Sequence, residues 1–138
     1  MSEQEKDYIS RAKELGFDTS NISKEGYTPL RVFVEGYGAS LGYDLADLFE
    51  DKTKRTEGDY LELLKQLESG NNFIEIFKEG HTEFELALLG YLSRKNIDID
   101  KCLAEGYTVK GLTSIALLYI SMPELQFEKP LPTKEGHK

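Results

Sequence analysis

The segment NIDIDKCLAEGYT, residues 96–108, contains the pattern that decides the fold. Its first triplet, Asn96-Ile97-Asp98, has three counterparts that begin with glycine and end with aspartate or asparagine: Gly16-Phe17-Asp18, Gly42-Tyr43-Asp44 and Gly70-Asn71-Asn72. The first residues of the four triplets stand 26, 28 and 26 positions apart. Because a sequence period of about 20–50 residues is typical of stacked repeats, this spacing predicts four units of similar structure.

The last four residues of the segment, Glu105 to Thr108, have the composition of a joint between two helices. The same EGYT sequence occurs at residues 25–28, and EGHT occurs at residues 79–82. Glycine adopts a positive φ at little cost and so ends helices, whereas a threonine oxygen accepts a hydrogen bond from the first turn of the next helix. Each unit is therefore predicted to contain a short helix, a tight link and a longer helix.

The apolar residues of the longer segments recur at the spacing of amphipathic helices. In the third unit Thr82 and Glu85 match a capping box, and the apolar stripe that follows consists of Phe84, Leu88, Tyr91 and Leu92. Residues 2–15 show the same periodicity, with Leu15 on the apolar face, and are followed by Gly16. The predicted fold is all-α: a solenoid-like array of about four helix-turn-helix repeats, about nine helices in all, behind an N-terminal capping helix.

The chain of 138 residues is long enough to bury a core as one domain. We predict a single α-helical repeat domain over residues 1–122 and a polar, proline-containing tail over residues 123–138 that is disordered. No apolar run approaches the roughly 18–20 residues of a membrane span, and no signal peptide precedes the first acidic residues. We therefore expect a cytoplasmic protein that contacts no membrane.

Composition and motifs argue against catalysis and against nucleic-acid binding. The net charge is −8, from 25 acidic and 17 basic residues, and this balance opposes contact with phosphate groups. Cys102 lies in an apolar stretch without a nearby base, and the sequence contains no phosphate-binding loop or nucleophile elbow. The spacing of His81, Glu79, Glu83 and Glu85 does not bring metal ligands to one helix face. We expect no enzymatic activity, no cofactor and no metal.

The second unit departs from the repeat. It reads EDKTKRTEGD at residues 50–59, where the other units lead to EGYT or EGHT, and so gains two residues and a basic cluster. The candidate partner-binding residues around this departure are Asp44, Asp47, Asp51, Lys52, Lys54, Arg55, Glu57 and Asp59. Solvated helix faces and a recognition surface remain alternative interpretations of these charges.

A second set of candidates recurs once per unit within the EGYT and EGHT joints. Tyr27, His81 and Tyr107 occupy the same position in three units, so they would form a row along one edge of a regular array. The alternative is that these side chains fill the corner between two helices.

The stretches GYDLADLF…YLELLKQLESG and NIDIDKCLAEGYTVKGL resemble a group of helical-repeat proteins from Gram-positive bacteria and their mobile elements. Proteins of this group carry a glycine-hydrophobic-aspartate unit of about 27 residues. The resemblance covers about residues 16–121. It implies a helical-repeat fold and a mobile-element setting, and it supplies no catalytic residues.

Two functions are compatible with these features. The first is a non-enzymatic module that binds another protein, because repeat arrays present extended surfaces. The alternative is an acidic inhibitor, encoded by a phage or plasmid, that occupies the nucleic-acid-binding surface of a host nuclease or defence complex. The expected partner is a protein, with a basic surface in the second case, and a homodimer is compatible with both.

Overall fold

The computed structural model of the chain describes residues 3–23, 27–50, 55–124 and 131–134. Within these ranges the regular structure is helical, apart from one isolated bridge between Ile97 and Thr133, so the all-α prediction is confirmed. The α-helices are α1 (Glu3–Glu14), α2 (Pro29–Ser40), α3 (Glu57–Glu68), α4 (Ile74–Lys78), α5 (Glu83–Arg94), α6 (Ile99–Ala104) and α7 (Val109–Ser121). None of the described helices is both long and apolar enough to cross a membrane.

The short helices of the first two sequence repeats are 3-10 turns rather than α-helices, at Ser20–Ser23 and Ala46–Phe49. A single short turn of four residues suits the tighter i→i+3 hydrogen bond. In the first turn, Ser20, Asn21 and Ser23 are also weak helix formers, because their side chains compete for backbone hydrogen bonds.

The chain divides into two compact parts, Met1–Gly70 and Asn71–Lys138, which we call the first unit and the second unit; each is larger than one sequence repeat. In the first unit α2 packs against α1, α3 and the first 3-10 turn; in the second unit α5 packs against α6 and α7. The single repeat domain over residues 1–122 stays a prediction beside this division. The division follows from packing between elements that are near neighbours in sequence, which is the packing that short repeated units favour.

The first residue of each triplet has the left-handed backbone conformation, with φ of 79° at Gly16, 92° at Gly42, 93° at Gly70 and 68° at Asn96. In three triplets the following N–H donates to the carbonyl five residues earlier: Phe17 to Ala12 at 2.9 Å, Tyr43 to Gly38 at 2.9 Å and Ile97 to Leu92 at 3.1 Å. These are bonds of the Schellman motif, which satisfies the last carbonyls of a helix. The triplets are therefore helix stops.

The side chain of the third residue of each triplet accepts a hydrogen bond from a backbone N–H two or three residues later in the chain. Side-chain oxygens accept N–H groups as follows: Asp18 from Ser20 at 2.9 Å, Asp44 from Ala46 at 3.1 Å, Asn72 from Ile74 at 3.2 Å and Asp98 from Lys101 at 3.1 Å. These bonds satisfy N–H groups that a starting helix leaves without a partner. One triplet thus ends a helix and starts the next.

The joints after the short helices behave as their sequence predicts. Gly80 and Gly106 both have a φ of 102°, and Gly26 lies outside the described residues. Thr28 accepts a hydrogen bond from the Arg31 N–H at 3.2 Å, and Thr108 accepts one from the Gly111 N–H at 2.9 Å. Glycine therefore ends one helix and threonine caps the next.

The core of the first unit is built around an aromatic cluster. Phe33 of α2 lies 5.4 Å from Tyr8, 6.1 Å from Phe17 and 5.8 Å from Tyr37, measured between ring centroids. Phe17 approaches α2 closely at Gly36, where an added Cβ would stand 2.7 Å from the Cβ of Phe17. A glycine at this position therefore sets how closely the triplet packs on α2.

The core of the second unit is aliphatic and aromatic. Its buried side chains include Phe73, Phe77, Leu86, Leu89, Leu92, Cys102 and Leu112. Two residues of the predicted apolar stripes are exposed instead, Leu15 at the end of α1 and Phe84 in the first turn of α5. The inward face of α5 runs through Leu86, Leu89 and Ser93, and Phe84 lies on the opposite side of the helix.

The C-terminal segment is described only in part, because residues 125–130 and 135–138 of the predicted tail lie outside the described residues. Residues 131–134, which we call the strap, pack on the second unit: Leu131 is only 5% exposed, and Thr133 forms the bridge to Ile97. Disorder was predicted from residue 123 onward because the segment is polar and contains prolines. A single buried leucine and backbone hydrogen bonds hold these four residues in place, and composition alone does not reveal such contacts.

Candidate functional site

The candidate charged residues of the second repeat differ in exposure, and the structure describes only some of them. Asp44 and Asp47 are exposed at the second 3-10 turn, so they are accessible to a partner. Asp51, Lys52 and Lys54 lie outside the described residues. Asp44 also has a structural role, since its carboxylate caps the turn through the Ala46 N–H. The acidic part of the candidate site is thus present at the surface of the first unit.

Asp59, a candidate of the predicted site, is buried at the start of α3. It is 6% exposed, and its Oδ2 accepts the Thr56 N–H at 2.9 Å while its own N–H donates to Thr56 Oγ1 at 3.2 Å. This reciprocal pair is a capping box at the start of α3. The sequence T-E-G-D has the residues of this motif, and its carboxylate is committed to the backbone rather than to a partner.

Glu57 and Arg55 flank this cap and are only partly accessible. The Glu57 carboxylate accepts a hydrogen bond from the hydroxyl of Tyr8 on α1, so it links two helices of the first unit. Arg55 is half-buried immediately before α3. Of the three candidates around the start of α3, none is a freely exposed side chain.

Tyr27 belongs to a small stack of cationic and aromatic groups. The Arg31 guanidinium carbon lies 4.0 Å from the centroid of the Tyr27 ring and 5.4 Å from that of Phe49. Arg31 Nε donates to Glu35 Oε2 at 2.5 Å. Burial opposes the charge of Arg31, but the bond and charge of Glu35 outweigh it and raise the pKa of the guanidinium. Tyr27 is therefore held in position by packing.

A groove of about 450 Å³ lies beside this stack in the first unit. Its walls include Leu15, Phe17 and Tyr27, with the carboxylates of Asp18 and Glu35 among them. Leu15 is exposed at this groove, which explains why a residue of the predicted apolar stripe faces solvent. The combination of apolar walls and carboxylates suits a basic side chain with an apolar stem.

His81 and Glu85 form a local pair in the second unit. His81 Nδ1 lies 2.9 Å from Glu85 Oε2, and Glu85 Oε1 accepts the Thr82 N–H at 3.0 Å, which closes the predicted capping box. Burial alone would raise the pKa of Glu85, but the Thr82 N–H and the His81 ring outweigh it and lower that pKa. His81 thus orients the cap, and across the described ranges no group of three His, Cys, Asp or Glu residues is suited to hold a metal.

Tyr107 occupies in the joint after α6 the position that His81 occupies after α4. Its N–H donates to the Cys102 carbonyl at 3.0 Å, and its side chain is half-buried. Tyr27 lies in the first unit, and His81 and Tyr107 lie in the second. The three residues share a position in the joint and are each partly buried, so both interpretations of this set stay predictions.

Cys102 has the environment of a core residue. Its side chain is fully buried in α6. Burial raises the pKa of the thiol, and the carboxylates of Asp98 and Glu105 raise it further. A thiol that is both inaccessible and held in its protonated form is a poor nucleophile.

Sequence reasoning missed an exposed apolar surface at the end of α7. Its last two turns and the residue after them present Leu117, Leu118, Ile120 and Met122, which are 42%, 38%, 50% and 48% exposed. We call these four residues the α7 surface. Ile120 continues the line of the buried stripe through Leu112 and Ala116, whereas Leu117 lies to the side of that stripe and Leu118 lies opposite it. Helical periodicity marked one stripe, but the C-terminal half of α7 is apolar on both sides.

An apolar hollow of about 300 Å³ adjoins the α7 surface. It is lined by Tyr91 and Lys95 at the end of α5, by Ile97, and by Tyr119 and Pro123 at the end of α7. Tyrosine is enriched at protein-binding surfaces, and two of the five lining residues are tyrosines. Comparison of the chain with models of protein families, with curated proteins and with solved structures finds no match.

Proposed function

We propose that the chain is a non-enzymatic α-helical repeat module of the cytoplasm that binds another protein through the α7 surface. The observation that carries this proposal is the exposure of three large apolar side chains at the end of α7 and of Met122 directly after it, near a hollow lined by two tyrosines. Large contiguous apolar patches are uncommon on monomeric proteins and mark interaction sites. Burial of four such side chains supplies several kcal/mol, roughly 1.5–3 kcal/mol for each at full burial.

A repeat architecture supports the same function. The recurrence of left-handed residues and capping side-chain oxygens in four triplets favours the predicted array of four helix-turn-helix units with a capping helix. In such arrays the terminal repeat needs a polar outer face unless a partner covers it. The resemblance to helical-repeat proteins of mobile elements belongs to the same proposal.

The test is affinity capture from the source organism, followed by reconstitution with the captured protein. We expect Leu117→Glu with Ile120→Glu to weaken binding at least about tenfold, because the two charges would have to be buried in the interface. The matched control is Ser10→Glu with Ala104→Glu, which adds the same charge at exposed positions of α1 and α6. The proposal fails if both double variants bind the reconstituted partner equally well.

The alternative function rests on the acidic residues of the first unit. Asp44, Asp47 and Glu50 are exposed around the second 3-10 turn, and an acidic inhibitor of a nucleic-acid-binding protein needs carboxylates at its surface. Reversal of Asp44, Asp47 and Glu50 to lysine should abolish binding to such a target. Asp59 and Glu57 are excluded from this test because their substitution would disturb the start of α3. Unchanged binding by the triple variant would reject the inhibitor.

A further inference from the structure

The strap pairs with the fourth triplet as one strand pairs with another. The Asp98 N–H donates to the Pro132 carbonyl at 2.9 Å, and the Lys134 N–H donates to the Asn96 carbonyl at 3.0 Å. Together they make the antiparallel bridge between Ile97 and Thr133. The triplet therefore presents one donor and one acceptor on the same edge, which is the pattern by which extended peptides are recognised.

Side chains on both sides of this backbone pairing define what kind of segment fits. Leu131 is buried against the second unit. At the other end, Lys134 Nζ donates to the Ser93 carbonyl at 2.9 Å and to Ser93 Oγ at 2.8 Å, and Ser93 Oγ lies 2.8 Å from Asn71 Oδ1. The site thus accepts an apolar residue, then a proline carbonyl, and finally an ammonium group three positions after the apolar residue.

Two features indicate that this site recognises a segment rather than only completing the fold. The Lys134 ammonium donates to two neutral oxygens of Ser93, which is itself buried. These oxygens form a polar pocket at the end of α5. In addition, Ile97, which pairs with the strap, also lines the hollow beside the α7 surface. A segment bound along the triplet would be continuous with the proposed interface.

We propose that the edge of the Asn96–Asp98 triplet is a receptor site for an extended segment of the partner protein, with an apolar residue, proline, any residue and lysine in order. The strap occupies this site as an internal competitor, and the partner's segment displaces it. This inference rests on the proposed function, because it assumes a protein partner. It adds the chemistry of the segment and a mechanism that keeps the site closed until the partner arrives.

The test uses the full chain and a capped peptide with the sequence KPLPTK of residues 129–134. In the variant Leu131→Asp with Lys134→Ala, the strap loses both side-chain contacts and releases the site. We expect the peptide to bind this variant at least about tenfold more tightly than the unaltered chain, since a tethered competitor acts at a millimolar effective concentration. The amide signals of Asn96 and Asp98 should shift in the NMR spectrum.

Two controls tie binding to the described contacts. A peptide with alanine in place of its lysine should bind the released variant several-fold more weakly, and so should the original peptide when Ser93→Ala is added to that variant. Absence of peptide binding to a released variant that retains its helical circular dichroism would overturn the inference. Loss of that helical signal would also overturn it, because the strap would then be a fixed part of the unit.

A measurement on the unaltered chain is independent of these variants. If the strap is exchangeable, the amides of Asp98 and Lys134 should exchange with solvent at least about tenfold faster than that of Cys102, which donates to the Asp98 carbonyl at 3.1 Å within α6. Equal protection of the three amides would contradict the inference. Light scattering that shows dimers joined by exchanged straps would overturn it as well. None of these results depends on the α7 surface, so they leave the test of the proposed function separate.

Discussion

At the scale of single residues, the left-handed positions determine where each helix ends. Gly42 and Asn96 occupy equivalent places in their triplets, with φ of 92° and 68°. A Cβ at Gly42 would meet no atom within 4 Å, so any cost of adding one is conformational rather than steric. Asparagine is the residue other than glycine that tolerates this conformation best, which explains why the fourth triplet functions with Asn96.

Substitutions at Gly42 and Asn96 measure the cost of the left-handed backbone conformation, and a substitution at Gly36 measures the cost of a steric contact. We expect Gly42→Ala and Asn96→Ala each to lower the free energy of unfolding by about 1 kcal/mol, and Asn96→Gly to change it by less than about 0.5 kcal/mol. Urea denaturation measures all three. Gly36→Ala is the contrasting case, since its Cβ would meet Phe17 at 2.7 Å and the cost of about 1–3 kcal/mol would come from overpacking. A neutral Gly42→Ala would contradict the assigned helix stop.

The carboxylate of Glu85 makes the stability of the second unit depend on pH. Its pKa is lowered in the folded state, so its contribution is complete above the ordinary value of 4.5 and is lost as the pH falls through the folded value. We expect Glu85→Gln to reduce the loss of stability between about pH 5 and pH 3. Urea midpoints at several pH values test this. The control, Glu14→Gln at an exposed carboxylate of α1, should leave the slope unchanged.

At the scale of elements, the starts and stops of helices could be predicted from sequence because their chemistry is local. Asp98 and Thr108 act on N–H groups three residues away, and glycines act on their own backbone. Burial could not be predicted as well, because it depends on what the rest of the chain brings to a helix face. Phe84 fits the periodicity of α5 and is exposed, whereas Leu131 lies in a polar segment and is buried.

The candidate site was predicted in part for the same reason. Asp44, Asp47 and Asp59 look alike as acidic residues near a break in the repeat. The structure separates them, because Asp59 closes the cap of α3 and the other two face solvent. The α7 surface could not be predicted from the sequence, because the sequence of an apolar helix does not show which of its sides the rest of the chain covers.

Removal of these carboxylates should reveal the difference. We expect Asp59→Ala to lower the free energy of unfolding by about 1–2 kcal/mol, because the Thr56 N–H loses its acceptor. Asp47→Ala, at an exposed position of the second 3-10 turn, should change it by less than about 0.5 kcal/mol. Chemical denaturation of both variants provides the measurement, and similar losses would mean that Asp59 is not the capping residue.

At the scale of the whole molecule, charge and apolar surface favour different partners. The chain carries a net charge of −8, and the exposed carboxylates of Asp44 and Asp47 lie in the first unit. The α7 surface lies in the second unit, and α7 itself contains a single charged residue, Lys110. An interface dominated by one surface or the other will therefore respond differently to salt.

Salt dependence distinguishes the two functions once a partner has been captured. If the α7 surface carries binding, we expect the dissociation constant to change by less than about threefold between 50 mM and 500 mM sodium chloride. An inhibitor that acts through its carboxylates should instead lose more than about tenfold in affinity over the same range. Isothermal titration calorimetry at several salt concentrations gives both values.

The burial of Cys102 has a practical consequence for studying the chain. It is the sole cysteine of the sequence, it is inaccessible, and its thiol resists deprotonation. A second cysteine introduced at the exposed Thr133 would therefore take up a maleimide dye while the native thiol stays unlabelled. Such a singly labelled protein would report the position of the strap by fluorescence, without the need for a cysteine-free background.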